Sequence, residues 1–349
     1  MENHGNSVLT KGKVSVRTKS GIPAQTGSPV PPVLLRFIQE GQSFVVVGHK
    51  EPDGDCVGSQ LVIASVLNRL GKKALPCSAG PFKRPEVKSF EGRFFPFPVD
   101  IPRERIRVIV MDCSSLDRVG DLPLGGLPLA SVDHHASASP SGEAVYLDAK
   151  APSVTYMVLN IIAALGLSPT PEEAELLLFG LCTDTGFFRH VDETGPETFD
   201  AVSKLVRAGA SPKRVFAVIN GGKSLESRIL TGLVLSRTRA FFGGKLLLSF
   251  EEYEDVLRYG GESRDSDTIY QLLMSVEGAE AAVLVRQEKP ENCTIGLRSR
   301  DRIDVASIAS SFGGGGHKNA AGASIDGKIA AIEQKLLDAF APVFTGSPA

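Results

Sequence analysis

The chain has 349 residues, 42% of them hydrophobic, and a formal net charge of -2, so it can bury the cores of two ordinary domains and offers long nucleic acid no global basic field. Its longest apolar stretches, "LNIIAALGL" and "LLLFGL", fall short of the roughly 20 residues that cross a bilayer, which argues against a membrane anchor. Five scattered cysteines, Cys56, Cys77, Cys113, Cys182 and Cys293, form no CxxC pair, which argues against a disulfide framework or zinc–thiolate site, and the lack of an apolar leader points to a cytoplasmic setting.

Residues 1–32 are rich in Ser, Thr, Gly, Pro and Lys without periodicity and read as a loosely attached or disordered tail. "SFVVVGH" then predicts a short buried strand, and "GSQLVIASVLNRLGKKA" a helix stopped by Gly71. "RVIVMDCSS" and "LPLASVDHHAS" repeat the strand pattern, the first running into Asp112 and the second into Asp133, His134 and His135. Helices follow at "SVTYMVLNIIAALG" and "PEEAELLLFGLCTDTG", the latter reaching Asp184, and then at "PETFDAVSKLVRAGA" and "SPKRVFAVIN". This alternation predicts an α/β domain over 33–221, a mostly parallel sheet with helices on both faces whose ligands collect at the carboxyl ends of the strands. Paired glycines at 221–222 and 243–244 bracket a linker helix over 222–244. A smaller α/β domain over 245–349 is expected from strands at "KLLLSF", "AAVLVRQ" and "CTIGLRS", helices at "SDTIYQLLMSV", "DVASIASSF" and "KIAAIEQKLLDAFAPVF", and the glycine run in "FGGGGHKNAAGAS".

Four of the six histidines sit in polar clusters, and His49, Asp53, Asp55, Asp112, Asp133, His134 and Asp184 all fall at predicted strand ends or beside helix ends. Carboxylates crowded into one crevice repel each other, a conflict that a divalent cation removes. A mixed imidazole–carboxylate set without thiolate suits manganese, iron, cobalt or zinc, and its carboxylate weight favours manganese or magnesium. Six or seven ligands exceed what one transition metal takes and suit two ions sharing a carboxylate, an arrangement used for displacement at phosphorus. Gly54, Gly58 and Ser59 read equally well as a tight turn and as a phosphate contact. Cys56 and Cys113 read as packing residues and His190 as structural, while Arg118 and Arg189 suit either substrate or neighbouring carboxylates.

"HKEPDGDCVGS", "MDCSSLDRVG", "SVDHHAS" and "LCTDTGFF" resemble, in order and separation, the four motifs of the DHH phosphoesterase superfamily, and "LRSRDRIDVASIASSFGGGGHKNAAGAS" is similar to its associated DHHA1 domain. In size and layout the chain looks like the small nanoRNases of that superfamily, bifunctional oligoribonucleases and pAp phosphatases. The resemblance implies one metal site at His49 and Asp53, a second at Asp55 and His134, Asp112 as the bridge, and Asp184 completing the shell. It also implies two divalent ions, with Mn2+ favoured over Mg2+ or Co2+, and hydrolysis by a two-metal hydroxide attack. His135 would face the scissile phosphate as a catalytic residue, and Asp133 would orient a neighbouring imidazole. Arg298, Ser299, Arg300, Gly314, Gly315, Gly316 and His317 would bind the substrate's terminal phosphate and sugar, with the active site in a cleft between the domains.

Oligoribonucleotides of two to five residues and pAp are the implied substrates, without long duplex nucleic acid and without a membrane, and the family suggests a homodimer. A RecJ-type single-strand exonuclease, an exopolyphosphatase or pyrophosphatase, and a non-catalytic nucleotide-binding protein are the alternatives. A basic, aromatic-interleaved stretch for a long strand, which would favour the first, is absent from the sequence.

Overall fold

β-Branched and other apolar residues fill the runs that become the first sheet: β1 (Ser43–Val47), β2 (Lys73–Pro76), β3 (Ile106–Met111), β4 (Leu129–Asp133) and β5 (Ala144–Leu147). The computed structural model describes residues 29–98, 101–191, 195–261, 264–300 and 302–345, so most of the tail expected over 1–32 lies outside the described residues. Chain contacts divide into two units, Met1–Gly221 and Gly222–Ala349.

In the first unit the five strands are parallel in the order β2-β1-β3-β4-β5. Val47 pairs with Val110 and Met111 with Val132, so the carboxyl ends of β1, β3 and β4 lie side by side. The strand period of two sends Phe44, Val46, Ile109 and Met111 into a core shared with the helices Gly54–Arg69, Val154–Ala164 and Pro171–Asp184. Val45, Val47, Val108 and Val110 face the other way, against Cys77, Ile101, Val119, Leu124 and Leu127, none of them in an α-helix. Helices thus flank the sheet on the first of these faces, while irregular segments and short 3-10 turns close the second. The connection from β3 to β4 carries Gly120, Pro123, Gly125, Gly126 and Pro128, which cannot sustain a crossover helix.

The helices pack closely beside the sheet because two of their contacts are glycines. A Cβ at Gly58 would stand 2.7 Å from the Leu176 carbonyl oxygen. A Cβ at Gly180 would overlap Thr155 Cγ2 and come within 3.0 Å of Asp55 Cα. A helix at Pro32–Glu40, which begins inside the expected tail, buries Leu34, Phe37 and Ile38 in the same core.

The second unit holds a six-stranded sheet of β6 (Arg239–Phe241), β7 (Leu246–Glu251), β8 (Ala281–Lys289), β9 (Asn292–Ser299), β10 (Gly315–His317) and β11 (Ala320–Asp326). Their order is β10-β11-β9-β8-β7-β6, antiparallel except for the β7–β8 pair. One face packs Leu246, Val283, Ile295 and Leu297 on the helices Val305–Ser310 and Ile329–Thr345. On the other face Leu247, Ala282 and Leu284 meet Leu230 and Val234 of the helix Leu225–Ser236, and Ile269, Tyr270 and Leu273 of the helix Ser266–Met274. The stretch 222–244 is thus not a free linker: burial of Leu230 and Val234 makes its helix part of this unit's core. Among the described residues no helix is long and apolar enough to cross a membrane.

Candidate metal centre

The adjacent carboxyl ends of three parallel strands bring distant residues to one edge. His49 follows β1, Asp112 follows β3 and His134 and His135 follow β4, while Asp133 is the last residue of β4. Asp53 is the N-cap of the helix Gly54–Arg69, its side chain accepting the Cys56 N–H at 3.1 Å, and Asp55 lies in that helix's first turn. Asp184 is the last residue of the helix Pro171–Asp184, which the sequence expected to reach it. Asp112 has a left-handed backbone, φ 50°, a conformation that aspartate tolerates better than most residues and that recurs at functional sites.

The two oxygens of Asp112 face different imidazoles. Oδ2 lies 3.7 Å from His49 Nε2, and Oδ1 lies 3.9 Å from His134 Nε2. His49 Nε2 is also 3.7 Å from Asp53 Oδ2, and His134 Nε2 is 3.1 Å from Asp184 Oδ2. Asp55, His134 and Asp184 form one group of close donor atoms, and His49, Cys56 and Asp112 another. Each imidazole is aimed by its remote nitrogen: His49 Nδ1 donates to the Lys50 carbonyl at 2.8 Å and His134 Nδ1 to the Ala151 carbonyl at 3.1 Å. That pairing leaves both Nε2 atoms turned toward the carboxylates, as a metal-binding histidine requires. His135 instead donates through Nδ1 to Asp133 Oδ1 at 2.7 Å.

Burial raises the cost of so many charges. Desolvation, then the neighbouring charges of Asp112 and Asp184, push the Asp55 carboxyl well above the usual range, despite the Thr155 hydrogen bond and the charge of His134. Desolvation likewise raises Asp112, whose Oδ1 is buried without a hydrogen-bond partner among the described residues. Desolvation opposes charge on His49 and His134, yet contacts to Asp112 and Asp53 hold His49 far above its ordinary value, and contact with Asp184 holds His134 near 10. Four carboxylates, two oriented imidazoles and an orphaned buried oxygen between them fit divalent ions of the manganese or magnesium type.

Several participants had no sequence signal. Val154 N–H and Thr155 N–H donate to the two Asp55 oxygens at 2.6 and 2.8 Å, with the Thr155 hydroxyl adding a third bond at 2.6 Å. Lys50 and Arg84, which the sequence did not mark, and Arg118, which it offered for substrate or neighbouring carboxylates, share a cavity of about 230 Å³ with His49, Asp53, Asp112, His135 and Asp184. Cys56 borders the site, but burial pushes its thiol up to about 12, which leaves it a protonated neighbour. Arg189 turns away to the Gly186 carbonyl, 2.8 Å from its Nε.

In the second unit, Arg298 and Ser299 close β9. The Ser299 hydroxyl donates to the Ile303 carbonyl at 2.7 Å and Arg300 Nη2 to the Met274 carbonyl at 3.0 Å. The second half of the glycine run enters edge strand β10, Gly315–His317. A Cβ at Gly314 or Gly316 would strike the backbone of β11, whereas Gly315 faces open space and His317 is exposed.

Two family models match the chain, the DHH family, N-terminal domain over residues 43–181 and the DHHA1 domain over residues 247–343. The chain is 32% identical over 289 residues to the bifunctional oligoribonuclease and PAP phosphatase NrnA of Thermus thermophilus, covering 82% of this chain and 85% of that protein. It is 26% identical to the cyclic-di-AMP phosphodiesterase PdeA of Listeria monocytogenes over 90% of this chain, and spans about half of that relative, 49%. Among solved structures, an exopolyphosphatase-related protein from Bacteroides fragilis shares the fold, with a TM-score of 0.73 at 21% identity over 89% of this chain and 96% of that one.

Proposed function

Because the chain belongs to the DHH family of phosphoesterases, hydrolases that depend on divalent metal ions, we propose that it hydrolyses very short oligoribonucleotides to mononucleotides and dephosphorylates pAp to AMP. Mn2+ is the proposed metal. The similarity to the bifunctional NrnA enzyme carries this reading, because it runs through both units, and the DHH family match spans His49, Asp53, Asp55, Asp112 and His134 of the cluster.

His49 and Asp53 would hold one ion, Asp55, His134 and Asp184 the other, and Asp112 would serve both, one oxygen turned toward each imidazole. Bound ions supply Lewis acidity, which acidifies water and polarises phosphate. The protein's own residues keep that centre in register. Three donors from the start of the helix Val154–Ala164 fix Asp55, and two backbone carbonyls fix the rings of His49 and His134. Asp133 accepts the Nδ1 proton of His135 and raises that ring's pKa, so His135 can present a proton at Nε2 to a phosphate oxygen as negative charge builds there. In the second unit, Arg298, the glycine edge 314–316 and His317 would bind the nucleotide's phosphate and sugar. Ser299 and Arg300, engaged with backbone carbonyls, would hold that edge in shape.

Initial rates with Mn2+ on a dinucleotide, a long RNA, pAp, pyrophosphate and cyclic di-AMP test the reading. Fast release of mononucleotides from the dinucleotide and of phosphate from pAp, with little action on the long RNA, is expected. Preference for the long strand, pyrophosphate or the cyclic dinucleotide would overturn the substrate assignment.

A further inference from the structure

Tyr270 occupies an unusual seat in the second unit. It projects from the helix Ser266–Met274 onto β9, its ring is buried, and its hydroxyl has no hydrogen-bond partner among the described residues. The centre of the Arg298 guanidinium lies 4.5 Å from the ring centroid. Gly296 precedes Arg298 by two residues and so shares its face of the sheet. A Cβ at Gly296 would overlap the Tyr270 hydroxyl and stand 3.2 Å from Cζ. Across the sheet, Arg298 pairs with Ala320 and Ala320 with His317, which sets the guanidinium's strand position in one row with the exposed histidine. Arg298 Nη1 also donates to the Leu297 carbonyl at 3.0 Å.

We propose that Tyr270 is a positioning residue for nucleotide binding: its ring holds the Arg298 guanidinium in place, and position 296 is glycine to leave room for the hydroxyl end of that ring. The inference rests on the reading that Arg298 binds a substrate phosphate. A free arginine loses rotamer entropy when it grips an anion, and one already seated on an aromatic face has lost part of it in advance. The ring and not the hydroxyl does this work, since the hydroxyl bonds to nothing among the described residues.

The test uses the full-length protein with Mn2+, measuring KM and kcat for pAp and, by calorimetry, the dissociation constant for AMP. Tyr270→Leu should raise KM and the AMP dissociation constant roughly three- to tenfold, the range of a partly buried cation–π contact, with the loss in KM and not in kcat. Tyr270→Phe should retain tight binding. Gly296→Ala should mimic Tyr270→Leu by displacing the hydroxyl, and adding Tyr270→Phe to it should restore binding, because only Cζ at 3.2 Å then remains to be accommodated. An effect of Gly296→Ala that Tyr270→Phe does not relieve would overturn the proposal, as would an unchanged KM in Tyr270→Leu beside a raised one in Arg298→Ala. If Arg298→Ala leaves KM and AMP binding unchanged, the reading of Arg298 itself fails, and the role of Tyr270 with it.

Discussion

Gly180→Ala sets two physical effects of opposite sign against each other. Gly180 is interior to the helix Pro171–Asp184, where alanine is favoured over glycine by about 1 kcal/mol, so propensity alone makes the variant more stable. The new methyl, however, would overlap Thr155 Cγ2 and lie 2.9 Å from Thr155 Oγ1 and 3.0 Å from Asp55 Cα. Overpacking of this kind costs about 1–3 kcal/mol. Displacing Thr155 also removes its hydroxyl from Asp55 Oδ1, a bond to a charged acceptor worth about 1.5–3 kcal/mol. Net destabilisation of roughly 1.5 to 5 kcal/mol is expected, with weakened Mn2+ binding because Asp55 and Asp184 shift together. Urea unfolding at constant m-value reads the first effect and calorimetric titration with Mn2+ the second. Thr155→Ser, which deletes the overlapping methyl and keeps the hydroxyl, should relieve much of the loss. A higher unfolding midpoint for Gly180→Ala with unchanged Mn2+ affinity would refute the reasoning.

Mn2+ binding near pH 7 should release protons, since His49 and His134 titrate above neutrality in the metal-free protein and must be neutral to coordinate. Affinity should therefore weaken as pH falls, and a binding enthalpy that is the same in buffers of different ionisation enthalpy would contradict this. Asp133→Asn should lower the pKa of His135, chiefly by removing its hydrogen bond, and so move the alkaline decline of kcat/KM to lower pH; a shift to higher pH would count against a protonated His135. In the second unit burial opposes charge on Asp255, yet the Arg237 guanidinium and the Glu252 N–H hold its carboxyl below the usual range. That stabilisation is present above the unfolded pKa, near 3.9, and is lost as pH falls through the folded value. Asp255→Asn should therefore flatten the acid decline of the thermal midpoint, and an unchanged slope would show the pair to be neutral.

The strand ends were legible because each buried run stops at a charged or imidazole residue, and a parallel sheet places such stops on one edge. Gly71, read as a helix stop, has φ 77° just past the C-cap of the helix Gly54–Arg69. The partners of Asp55 were not legible: Val154 and Thr155 lie 99 and 100 residues away and carry no mark of their contact in the sequence. Loop coverage of one sheet face was hidden for a related reason, since alternation within β3 shows that both faces are buried but not what buries them. The glycines at 314 and 316 were assigned to substrate by resemblance, because glycine marks close approach without naming the neighbour; in the fold that neighbour is β11. Tyr270 looked like one more apolar position of a helix until Gly296 showed where its ring must go.

All six proposed metal ligands come from residues 49–184, and the contacts around them close within the unit that ends at Gly221. During synthesis, domains generally fold as units from the amino end. A metal centre built from these residues would need none of β6 to β11, so ion loading would not have to wait for the residues proposed to hold the nucleotide. On that order the carboxylates would be charge-balanced first, and the means to choose a substrate would follow.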